Sequence, residues 1–118
     1  MDIRLQTKSM ELDGKEFKLC CNFNVLADVE ELHGGLETLL RSKSPMNTAR
    51  VFLSCMMNDY ADSMGWPERY TPRQAGRFMS TEPQKLNEQV SEIMELIFGA
   101  VRAEAAAEQP SSEDAEKN

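Results

Sequence analysis

Glu16-Phe17-Lys18-Leu19-Cys20-Cys21-Asn22-Phe23-Asn24-Val25-Leu26-Ala27-Asp28-Val29-Glu30-Glu31-Leu32-His33-Gly34-Gly35 changes its apolar period half-way along, and that change decides the fold class. Phe17, Leu19 and Cys21 share one face of an extended segment, while Glu16, Lys18 and Cys20 share the other. Past Asn22 the apolar residues Val25, Val29 and Leu32 recur at helical steps instead. A strand therefore feeds a short acidic helix, which Gly34-Gly35 ends. Upstream, Ile3, Leu5 and Thr7 alternate with Asp2, Arg4 and Gln6, predicting a first strand. Asp13-Gly14 is a two-residue hairpin signal between the two. A lone hairpin is marginal in water, so its apolar face lies against helices or pairs with a second copy in a homo-oligomer.

The rest of the chain reads as helices. Leu36, Leu39 and Leu40 suggest one or two apolar turns before a loop at Arg41-Ser42-Lys43-Ser44-Pro45. A helix follows over 46–64, with Phe52, Cys55, Met56, Tyr60 and Met64 as its core-facing stripe. Gly65-Trp66-Pro67 stops it. Thr71-Pro72-Arg73-Gln74 has the form of a capping box with Pro at the first helical position. That short helix turns Ala75, Phe78 and Met79 inward and ends near Ser80. Thr81-Glu82-Pro83-Gln84 repeats the capping pattern ahead of the longest helix, where Leu86, Val90, Ile93, Ile97 and Ala100 form the seam. The expectation is an α+β fold: a short antiparallel hairpin (2–21) packed on a helical body (23–108) of four to five helices. Residues 109–118, rich in Ser and acidic residues with no apolar anchor, read as a disordered acidic tail.

Bulk properties narrow the function classes. At 118 residues, 41% hydrophobic and 28% charged, the chain is one domain of ordinary globular composition. Few aromatic residues (7%) and eight methionines point to adaptable apolar packing. A net charge of −7 opposes phosphate backbones and anionic lipid, favouring protein partners over nucleic acid or membrane. No stretch nears the roughly 18 consecutive apolar residues of a membrane span. Adjacent cysteines on a strand point to opposite faces, so Cys20 and Cys21 do not pair with each other. An odd cysteine count, with no basic-then-apolar leader at Met1-Asp2-Ile3-Arg4, reads as reduced thiols in a cytoplasm.

No residue pattern announces catalysis or a cofactor. His33, the only histidine, stands at a helix end where imidazole meets terminal carbonyls and the helix dipole. The cysteines lack the C-x₂₋₄-C spacing of zinc sites, so no metal is expected. Gly34-Gly35 has no following Lys-Ser/Thr and is no phosphate loop. Asp28 and Glu31 share a helix face, which is a solvated surface or a partner-binding patch. Arg73 and Arg77 on a short capped helix could form half of a helix-turn-helix DNA-binding regulator. Glu82, Glu88, Glu92 and Glu95 on the next helix would repel phosphates from it.

One family resemblance rests on two stretches. Phe17-Lys18-Leu19 followed by Phe23-Asn24-Val25-Leu26-Ala27-Asp28-Val29-Glu30-Glu31-Leu32-His33-Gly34 resembles the N-terminal part of small tail assembly chaperones of long-tailed phages and prophages. Tyr70-Thr71-Pro72-Arg73-Gln74-Ala75-Gly76-Arg77-Phe78-Met79 looks like a later helix of that family, with Arg73 and Gln74 in place of its usual acidic pair. The resemblance implies a non-enzymatic protein of the bacterial host cytoplasm. It would hold the tape-measure protein soluble and help recruit tail-tube subunits during virion assembly. A methionine-lined surface including Met56, Met57, Met64, Phe78 and Met79 would then grip an amphipathic helix, with Asp28 and Glu31 as a second contact patch. A competing expectation, from another functional class, is a structural tail or head-completion subunit that stays in the particle.

Overall fold

Asp13 and Gly14 both adopt positive φ, 54° and 69°, which is the geometry of a tight primed turn and matches the twist of the strands it joins. The turn pairs β1 (Thr7–Leu12) antiparallel with β2 (Lys15–Cys20), setting Met10 opposite Phe17 and Lys8 opposite Leu19. The computed structural model describes residues 6–35, 37, 38, 41 and 44–117, with side chains as far as Arg102. The first strand runs straight into the turn, later than the 2–7 alternation suggests; residues 1–5 lie outside the described residues. Its core face is Met10 and Leu12, joined by Phe17 and Leu19 from β2 and by Cys21 just beyond it.

Four helices follow among the described residues: α1 (Phe23–His33), α2 (Pro45–Ser63), α3 (Pro72–Arg77) and α4 (Pro83–Lys117). The architecture is α+β, as expected. Asn22 caps α1 by accepting from Val25 N at 3.0 Å, and Val25 and Val29 are the residues this helix buries. Leu32, expected inward, is exposed, as is Phe23. Leu36, Leu39 and Leu40 lie outside the described residues.

The central element is α2. The hairpin, α1, α3 and α4 all pack on it, so every side chain from Thr48 to Met57 except Arg50 is buried. A helix covered on all sides is apolar all round rather than along one stripe. The single stripe expected for it was thus too narrow at the N-terminal half. At the other end Met64, also expected inward, is exposed beside the stop. That stop is a Schellman motif: Trp66 N donates to Ala61 O at 2.8 Å, and Gly65 N to Asp62 O at 3.1 Å, with Gly65 at φ 75°. The returning chain is tied to α2 by Asn58, which donates to Tyr70 O at 2.9 Å and accepts from Tyr70 N at 2.7 Å. Phe17 sits in a ring of aromatics, 5.6 Å from Trp66 and 5.8 Å from both Tyr60 and Tyr70.

The capping box at α3 forms as expected: Gln74 N donates to Thr71 Oγ1, and Thr71 N to Gln74 Oε1. The second pattern does not start its helix at the expected place. Helix α4 begins at Pro83, one residue later than a Thr81 cap implies, and Ser80 Oγ accepts from Glu82 N instead. Among its described side chains, α4 buries the apolar residues Ile93, Leu96, Ile97 and Ala100. Its backbone is helical to Lys117; the side chains expected to form the acidic tail lie outside the described residues.

Candidate functional site

Two apolar stripes meet without filling the space between them. From α2 come Met46, Ala49 and Leu53, one turn apart; from α4 come Leu86, Val90 and Ile93 at the same spacing. Gly76 of α3 and Met79 just beyond it complete an apolar groove of about 190 Å³. Ala49, Leu53 and Ile93 are buried and make its floor. Met79, Leu86 and Val90 are half-buried walls, and Met46, 55% exposed, stands at the mouth. Gln89 fixes one wall: nearly buried, it accepts from Ser80 N at 2.8 Å and locks the α3–α4 connection onto α4. The volume lies below the roughly 300–1,000 Å³ of small-molecule pockets, so it suits one or two side chains of another polypeptide.

Charge is arranged around this groove. Arg50 lies on its edge, and Arg50, Arg73, Gly76 and Arg77 form an adjoining cleft. Gly76 has no Cβ, and one placed there would meet nothing within 4 Å. A helical glycine costs about 1 kcal/mol relative to alanine, which makes its presence at this junction notable.

A second, acidic hollow lies across the molecule between α1 and the C-terminal half of α2. Asn24, Asp28, Asn58, Asp59, Asp62 and Arg69 border it. Asn22 Nδ2 donates to Asp59 Oδ2 at 2.8 Å, and Arg69 pairs loosely with Asp62 at 3.4 Å. Burial, then the Asp59 and Glu31 carboxylates, raise the Asp28 carboxyl above its ordinary value. Among the described residues no three His, Cys, Asp or Glu side chains are grouped to hold a metal ion.

The thiols are poor nucleophiles where they stand. Burial, reinforced by the neighbouring thiols, pushes Cys21 up to about 12, and burial pushes Cys55 up to about 11. Cys20 is shifted the same way by burial and by Asp59. His33 ends α1, immediately before Gly34 at φ 90°.

The residues expected at a partner surface are dispersed. Met56 and Met57 are in the core, 1% and 0% exposed, because α2 is covered on every side there. Met64 is exposed at the far end of α2, and Phe78 packs edge-on against Tyr70. Met79 does line the groove. Asp28 and Glu31 remain together on α1, Asp28 half-buried and Glu31 exposed. Sequence reading missed Met46, Arg50 and Gly76 as groove residues. The 46–49–53 spacing was visible, but periodicity says only that a stripe faces inward, not that its neighbour stops short of it.

A scan against protein-family models matches no family, and searches of curated proteins and of solved structures likewise return no match. Among the described residues no helix is long and apolar enough to cross a membrane.

Proposed function

We propose that this chain is a non-enzymatic holder of another polypeptide, acting as a tail assembly chaperone of a long-tailed phage or prophage. In that role it binds the tape-measure protein in the host cytoplasm and helps bring tail-tube subunits to it. The observation that carries the polypeptide-holding part is the open apolar groove between α2, α3 and α4, with Met46 exposed at its mouth. Methionine-walled grooves accommodate apolar side chains of varied shape, as a holder of a long helical protein requires. The phage assignment itself is supported by the resemblance of the 17–34 and 70–79 stretches.

Co-expression tests it. A long helical tape-measure protein, if the neighbouring reading frames encode one, should move from the insoluble to the soluble fraction when the two are made together. A Leu86→Glu/Val90→Glu variant, with charge placed on the half-buried groove wall, should lose that effect while remaining folded. A tape-measure protein that stays insoluble with the parent chain overturns the reading. Mass spectrometry of purified particles separates the role from that of a structural subunit, since a chaperone is absent from them.

A further inference from the structure

The edge of the groove says what kind of polypeptide it takes. Arg50 and Gly76 belong both to the apolar groove and to the cleft completed by Arg73 and Arg77, so the two spaces are one continuous surface. Arg50 donates through Nε to Asn47 Oδ1 at 2.8 Å, while Arg73 and Arg77 are exposed on α3. Among the described residues none of the three pairs with a carboxylate. On a chain of net charge −7, three guanidiniums without a carboxylate partner stand together beside one apolar groove.

Gly76 is an independent observation. It is not among the glycines at positive φ, and a Cβ there would touch nothing. The fold has no steric need of glycine at this place, yet the helix is weakened by it. A missing side chain at the junction of groove and cleft lets an incoming backbone approach α3 closely.

We propose that an amphipathic helix of a partner protein docks here, crossing α3 at Gly76. Its apolar stripe fills the groove between Met46, Met79, Leu86 and Val90, and its flanking carboxylates meet Arg50, Arg73 and Arg77. Guanidinium forks bind carboxylates in a directional, often bidentate way, so the site selects acidic borders and rejects basic ones. This rests on the polypeptide-holding reading and adds the chemistry of the occupant: apolar anchors at helical spacing flanked by Asp or Glu.

Two synthetic helical peptides test it by calorimetry against the full chain, identical in their leucine stripe but flanked by Glu in one and by Lys in the other. The Glu peptide should bind at least about tenfold more tightly, and the preference should weaken as salt is raised. Arg73→Glu/Arg77→Glu, at exposed positions, should invert the preference. Gly76→Trp, which projects into open space, should weaken the Glu peptide by about tenfold or more while the circular dichroism spectrum stays that of the parent. Equal affinity for the two peptides, or a Gly76→Trp protein that binds like the parent, overturns the proposal. It is also overturned if Gly76→Trp changes only the sedimentation of the free protein, which would make the occupant a second copy offering Phe23, Glu30 and Glu31 of α1. The assay contains no tape-measure protein. Its failure beside successful solubilisation therefore removes this inference alone, and the reverse pattern removes only the tail-assembly role.

Discussion

Asn22 serves two elements with one side chain, capping α1 through Oδ1 and holding Asp59 of α2 through Nδ2. The helix start and the helix–helix contact are thereby set at one point, and Asp28, a turn and a half along α1, is brought towards Asp59. Its carboxyl is held above the ordinary 3.8, first by burial and then by Asp59 and Glu31. The folded chain therefore binds that proton more tightly than the unfolded chain does. This contribution to stability is complete below the ordinary carboxylate value and is lost as pH rises through the raised one. Asp28→Asn removes the penalty present at neutral pH. The variant should unfold at a higher urea concentration than the parent near neutrality, with the gap closing in acid. A midpoint at or below the parent's at neutral pH would contradict the account.

Within the hairpin, Glu11 lies directly opposite Glu16 on the exposed face. Like charges at such a pair are destabilising, so Glu11→Lys should raise stability by about 0.2–1 kcal/mol, read from urea unfolding at low salt and shrinking as salt is added. An unchanged midpoint at low salt would mean that solvent already screens the pair. The elements that were legible in the sequence are those whose signals are local. Asp13-Gly14 needs only its own φ angles, Thr71 and Gln74 satisfy each other's backbone, and Gly65 closes α2 through bonds within six residues. The illegible parts depend on what lies across the gap. Met10 and Leu12 face the core because the turn sets the parity of β1 from its far end, where the 2–7 alternation carries no information about them. Met56 and Met57 are covered because α2 has neighbours all round, and the groove exists because the apolar stripes of α2 and α4 leave space between them. No one-dimensional period encodes either fact.

For the molecule as a whole, α2 is the post on which everything else leans, and two of its consequences are measurable. Cys55 on α2 and Cys21 beneath it are both buried, with thiols raised far above neutrality. Iodoacetamide near neutral pH should leave both untouched in the native protein, with half-buried Cys20 the first to react, and all three should label in urea. Intact-mass spectrometry checks this, and prompt labelling of Cys21 or Cys55 in the folded chain would show that the core opens readily. The stop at the end of α2 has a second consequence. The chain carries a single tryptophan, and the Schellman turn delivers it onto Phe17 and Tyr60, with Lys15 Nζ 5.0 Å above the indole. Nature has thus placed the one strong intrinsic fluorophore at the seam where hairpin meets bundle. Its emission reports detachment of the N-terminal strands directly, so a red shift preceding the loss of helical ellipticity would reveal the hairpin peeling away first.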